Sequence, residues 1–165
     1  MAVEVYVWFP DTSLNCGHAA MKVDGGVPVG EVYLSRWPDN TPGQFKASIQ
    51  AITYGAGSVT RSYANDVKAE GGRSPHSVRL TSVDETAIKN AIDANAKKGY
   101  YQFFTDNCAV QVRECLDAGV GGSSIMKLVA FPIWQNPIAS WQLNSPPWGL
   151  LSYARFLREL ASALG

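Results

Sequence analysis

Histidine and cysteine are scarce in this chain, with two of the first and three of the second among 165 residues. So small a stock of ligands, with no CxxC and no HExxH, argues against a structural zinc site, and no cofactor or metal is expected. An odd number of irregularly spaced cysteines also argues against a disulfide framework. Long apolar runs are missing. None approaches the roughly 20 residues that span a bilayer, so no membrane insertion is expected. Excess charge of either sign is missing as well: 14 basic side chains balance 14 acidic ones. With no dense basic run, nothing directs the chain toward nucleic acid or anionic lipid. The opening segment, MAVEVYVWFPD, lacks a basic stretch and a cleavage site, and reads as a strand rather than a signal peptide. The expectation is synthesis in the cytoplasm, with a signal-free secretion machine if the protein acts outside the cell.

What is present is the composition of a folded domain, 46% hydrophobic and 17% charged. The length fits a single domain, 1–165. Its core is expected at about 3–119, followed by a Pro- and Trp-rich loop and a C-terminal helix over 120–165.

Alternation of Val3, Val5, Val7 against Glu4, Tyr6, Trp8 predicts a strand over about Val3–Phe9. GHAAMKV predicts a second at about His18–Val23, and EVYLSR a third at about Glu31–Arg36. The turn-rich DGGVPVG between them predicts a hairpin. SYANDVKAE reads as a short helix from near Ser62 to Gly71-Gly72, and SVRLT as a strand over Ser77–Thr81. Ser82-Val83-Asp84-Glu85 reads as a capping box opening a helix that stops at Lys97-Lys98-Gly99. YYQFF predicts a strand over Tyr100–Phe104, and CAVQVRECLDAG a helix from Cys108 that Gly119 ends. A last helix is expected over Leu150–Leu164, after a long ordered loop packing aromatics over the domain.

Two stretches carry candidate chemistry. In NCGHAAMKV, His18 opens a strand just after a glycine. In FFTDNCAVQVRECL, Cys108 opens a helix just after a strand. A thiol attacks only as thiolate, and a free cysteine titrates near pH 8.5, so it needs activation. The first helical turn supplies unpaired N–H groups and the positive end of the dipole, which favour a thiolate and can hold an oxyanion. A strand-borne histidine is rigid enough to act as base and then as acid. Taken alone, either residue is more often ordinary packing or surface. Asp106 and Asn107 read as N-cap candidates, with Asn107 also placed to shape the oxyanion site. Cys16 and Cys115 read as packed thiols and His76 as a solvated loop residue. Trp134, Trp141 and Trp148 read as aromatics covering the core, with a glycan-binding rim as the alternative.

In order and spacing, GHAAMKV, VYLSRWP, AEGGRSPHSVRL and NCAVQVRECLDAG resemble the permuted branch of the NlpC-type, papain-like cysteine hydrolases, in which the histidine strand precedes the cysteine helix. The likeness spans about Trp8 to Gly119. It is nearest to small bacterial type VI secretion effectors and more distant to the lecithin:retinol acyltransferase group. The resemblance implies an α+β fold, an antiparallel sheet packed against helices in a permuted papain-like (NlpC-type) core. It also implies a catalytic pair, His18 and Cys108. Ser35 stands where the acyltransferase group has a second histidine, so it is one candidate for the third, orienting group. Asp39, just past Trp37-Pro38, is the other. Arg36 stands where the bacterial relatives often carry an aromatic, which would alter the groove.

The implied function is a cysteine amidase or peptidase, a secreted antibacterial effector acting in the periplasm on peptidoglycan peptides. Its implied partners are that peptide substrate, a cognate immunity protein and a secretion-system carrier. Alternatives are a protein-modifying effector that deamidates or cleaves a host protein, an acyltransferase or thioesterase, and an inactive binding module.

Overall fold

The computed structural model describes residues 2–10, 17–25, 31–39, 56–102, 106–120 and 147–164. Six strands form one antiparallel sheet: β1 (Val3–Trp8), β2 (His18–Val23), β3 (Val32–Pro38), β4 (Ala56–Thr60), β5 (His76–Leu80) and β6 (Tyr100–Tyr101), in the order β5-β1-β2-β3-β4-β6. Four helices accompany it among the described residues: α1 (Tyr63–Ala69), α2 (Glu85–Ala96), α3 (Cys108–Val120) and α4 (Pro147–Leu164). The fold is α+β.

The period-two pattern of the strands decides which helices cover which face. Val3, Val5 and Val7, Ala19, Met21 and Val23, Leu34, and Val78 and Leu80 join one core with Ile88, Ile92, Val112, Leu116, Leu150 and Leu157 of α2, α3 and α4. The opposite face carries Tyr6, Trp8, Ala20 and Tyr33, against which Val67 of α1 packs. Residues opposite in register bring the site together. Trp8 pairs with His18, and Ala20 with Ser35. Gly17 takes a positive φ of 76°, and a Cβ there would collide with the Trp8 carbonyl oxygen, so only glycine lets the chain enter β2 this close to β1.

Several boundaries differ from the sequence reading. β3 runs on through Trp37 and Pro38, because Arg36 and Trp37 pair with Thr60 and Val59 of β4, a strand whose short AGSVT pattern gave no signal. α1 begins next to Ser62 as expected, and Ser62 is its cap, its hydroxyl accepting from the Asn65 N–H at 3.4 Å. The Ser82 capping box does not form. Asp84 is the cap of α2, its Oδ1 accepting from the Ala87 N–H at 2.9 Å. Gly119 does not end α3 but lies inside it, where a Cβ would sit 2.5 Å from the Ile88 side chain; the glycine serves close helix packing. His76 is exposed as expected, yet it belongs to β5 and sits with its ring 4.7 Å from that of Phe9. α4 begins at Pro147 rather than Leu150, proline being well suited to a first helical turn. Residues 103–105 of the YYQFF–TDN segment and 121–146 of the expected loop, with Trp134 and Trp141, lie outside the described residues, as does Cys16.

Candidate active site

His18 and Cys108 meet where β2 begins and α3 begins. Both are buried, His18 at 1% exposure and Cys108 at 7%. His18 and the Ala19 backbone N–H both favour the ionised Cys108 sulfur, and the Tyr101 hydroxyl points at it from 3.9 Å. On its other side, His18 Nε2 lies 3.0 Å from Ser35 Oγ and 3.3 Å from Asp66 Oδ2. With Nε2 occupied by those two, Nδ1 is the ring nitrogen left for the sulfur.

Asp66 belongs to α1, and the sheet holds its carboxylate. Tyr33 donates its hydroxyl to Oδ2 at 2.7 Å, and Trp37 its indole N–H to Oδ1 at 2.8 Å. Tyr33, Ser35 and Trp37 alternate along β3 and so share one face, the face against which α1 lies. α1 is pinned in turn by Arg73, which bonds Glu70 Oε2 at 2.6 Å and the Phe9 carbonyl at 2.9 Å, while Trp8 donates to the Arg73 carbonyl at 2.9 Å. The Gly-Gly-Arg segment after the helix thus clamps the carboxylate's helix to the end of β1.

The electrostatics follow from this packing. Burial alone would push the imidazole down, but the Cys108 sulfur and the Asp66 carboxylate outweigh it and hold His18 at about 9. Burial would likewise raise the Cys108 thiol; the His18 charge, its hydrogen bond and the Ala19 N–H bring it below its ordinary value. Asp66, though buried, is held below the usual carboxylate range by His18, Ser35 and Tyr33. The shifts favour a thiolate beside an imidazolium, itself backed by a carboxylate.

Asn107 caps α3, its Oδ1 accepting from the Val110 N–H at 2.9 Å and its carbonyl from Gln111 at 3.1 Å. Helix geometry then leaves the Cys108 and Ala109 N–H groups as the donors beside the sulfur. Asp106 is not the cap; it accepts from the Gln111 side chain at 2.8 Å.

Of the two candidates for the orienting group, Ser35 touches the imidazole. Asp39 lies elsewhere, bonded through its backbone N–H to the Gly57 carbonyl at 2.7 Å, with its side chain against Gly57; extension of β3 past Pro38 carries it away. The carboxylate at His18 is Asp66, which the sequence reading passed over. Its faint signal was an acid next to Val67, the residue through which this short helix packs on the sheet. Arg36 lines no groove. It is 2% exposed and donates to the carbonyls of Asn95, at 2.7 Å, and Lys98 at the end of α2, and to Ser58. Cys115 is core, and burial pushes its thiol up to about 12. Among the described residues no group of three His, Cys, Asp or Glu side chains is placed to hold a metal, and no helix is long and apolar enough to cross a membrane. No family model matches this chain, and neither does any curated protein or solved structure.

Proposed function

We propose that this protein is a cysteine hydrolase of amide bonds built on a permuted papain-like core, with Cys108 as nucleophile, His18 as general acid and base, and Asp66 and Ser35 holding the imidazole. The observation that carries this reading is the placement of His18 between a thiol at a helix start and a buried carboxylate that accepts three side-chain hydrogen bonds.

In that mechanism the Cys108 thiolate attacks the amide carbonyl carbon. The oxyanion is held by the N–H groups opening α3, with the Tyr101 hydroxyl nearby. The His18 imidazolium gives its proton to the departing amine, leaving a thioester. Neutral His18 then takes a proton from water, the hydroxide attacks the thioester, and the acid leaves as the thiolate returns. Asp66 keeps its charge throughout and stabilises the imidazolium.

The choice of substrate rests on the sequence resemblance to type VI effectors: peptidoglycan peptides, cut in the periplasm of a target cell, with a cognate immunity protein guarding the producer. Incubation with purified peptidoglycan and mass analysis of the fragments tests it. New peptide termini that depend on Cys108 and His18 are expected. Toxicity in the bacterial cytoplasm and none when a signal peptide directs the chain to the periplasm would move the substrate to a cytoplasmic protein.

A further inference from the structure

An open cleft of about 630 Å³ is lined among the described residues by Arg61, Asn65, Lys68 and Ala69. Helical spacing puts Asn65, Lys68 and Ala69 on one side of α1, next to the side that presents Asp66 to His18, and Arg61 just precedes the helix. The Arg61 guanidinium lies over the Trp37 ring, 5.0 Å from its centre, and that ring stacks at 4.2 Å on the His18 imidazole. The indole therefore touches both the imidazole and one of the side chains that line the cleft. The guanidinium stands within about 9 Å of the imidazole, the span of two to three extended residues.

Two cations face this cleft, and neither meets a carboxylate among the described residues. Among the described residues Lys22, Arg73, Arg79, Lys98, Arg113 and Arg158 each pair with an acid, while Lys89, Lys97 and Arg155, like the two cleft cations, do not. The indole holds Arg61 through its flat face, which leaves the planar N–H fork for a ligand, and that fork matches a carboxylate. Lys68 adds a second charge and Asn65 an amide.

We propose that the cleft is a substrate subsite for a carboxylate carried two to three residues from the bond that Cys108 attacks, so that the preferred substrates are acidic peptides. This rests on the cysteine-hydrolase reading. It selects among that reading's substrates by a charge that the reading does not require.

A pair of alkylating peptides tests it. N-bromoacetyl-Ala-Glu-amide and N-bromoacetyl-Ala-Gln-amide match in shape and differ by one charge. Each labels Cys108 as the thiolate attacks the methylene carbon, the S–C bond forming while bromide leaves. The Glu peptide is expected to label Cys108 about fivefold faster at low salt, the effect of one partly screened charge contact. That ratio should fall toward one in Arg61→Gln/Lys68→Gln. It should also fall in the unmodified protein at about 0.5 M salt, a measurement that needs no variant to fold. Equal rates for the two peptides in the unmodified protein, or a preference surviving both substitutions, would overturn the subsite and leave the hydrolase standing. Iodoacetamide separates the two failures: if it does not modify Cys108 ahead of Cys115, the thiolate reading fails and the subsite falls with it.

Discussion

The indole of Trp37 lies over the imidazole of His18, ring centres 4.2 Å apart and planes 23° from parallel. Trp8 approaches the same imidazole with ring centres 5.6 Å apart. Held between neighbours of this size, the ring has little freedom to turn, so packing decides which nitrogen faces Asp66 and which faces Cys108. Because Trp37 also donates to Asp66, one side chain sets both the plane of the imidazole and the position of its carboxylate.

Asp66→Asn keeps the shape of that carboxylate and removes its charge. It should lower hydrolysis roughly 10- to 100-fold, as loss of an orienting partner does elsewhere. Ser35→Ala removes one hydrogen bond and should cost about tenfold or less. Asp39→Ala should cost almost nothing. Steady-state rates on one peptide substrate order the three, and Asp39→Ala proving the most damaging would return the orienting role to that residue.

Cys108→Ala and His18→Ala should each abolish hydrolysis while the fold persists by circular dichroism. The double variant should be no worse than either single one, because the pair acts as a unit. Independent, multiplying losses would show that the two residues do not share a step.

Much of the sheet could be read in the sequence because one face of it is apolar. Val3, Val5, Val7, Ala19, Met21 and Val23 alternate cleanly, and the strands they predict lie within a residue of those observed. The pair His18 and Cys108 was legible for a related reason: each opens an element, one after glycine and the other after a cap residue. Asp66 was not, since its role comes from α1 lying across β3, a contact between residues 33 apart that no local pattern announces. Arg36 misled for the mirror reason. A charge in a strand reads as solvent- or groove-facing, and only the carbonyl ends of α2, about 60 positions away, account for its burial.

Gly119→Ala tests whether that glycine serves packing. Alanine is the better helix former by about 1 kcal/mol, so a helical glycine with open space around it would gain from the change. Its methyl group would instead press on Ile88, which is fully buried, while the adjoining carbonyl is held by the Asp84 N–H at 2.9 Å. Overpacking of this kind costs about 1–3 kcal/mol, so a net loss of roughly 1 kcal/mol is expected in urea denaturation. Ile88→Val should restore part of it when combined with Gly119→Ala, although it destabilises the native sequence. A gain in stability from Gly119→Ala alone would refute the packing role.

The thiolate–imidazolium pair should leave a pH signature of definite sign. His18 is raised from 6.5 to about 9, so the stability it contributes is full below about 6.5 and is lost as pH rises through about 9. Cys108 is lowered from 9.0, so its contribution is full above about 9 and is lost as pH falls through its folded value. Above 6.5 and above the lowered value of Cys108, up to about 9, the unfolded chain holds its proton on the thiol and the folded chain holds it on the imidazole. Both states bind the same number, so the pair adds no slope to stability across that window. Reactivity should follow the same pattern. Iodoacetamide labelling of Cys108 should level off at a pH below 9, the ordinary thiol value, whereas an unassisted thiol gains about tenfold per pH unit below its pKa. Cys115, pushed up to about 12, should remain unlabelled throughout. Hydrolysis should decline as pH rises through about 9, where the imidazolium that protonates the leaving amine is lost. In Cys108→Ala the largest influence raising the imidazole is gone while its burial remains, so the His18 ring followed by NMR should titrate below 9. A labelling rate that climbs about tenfold per pH unit all the way to 9, with the His18 titration unmoved by Cys108→Ala, would show that thiol and imidazole are not paired.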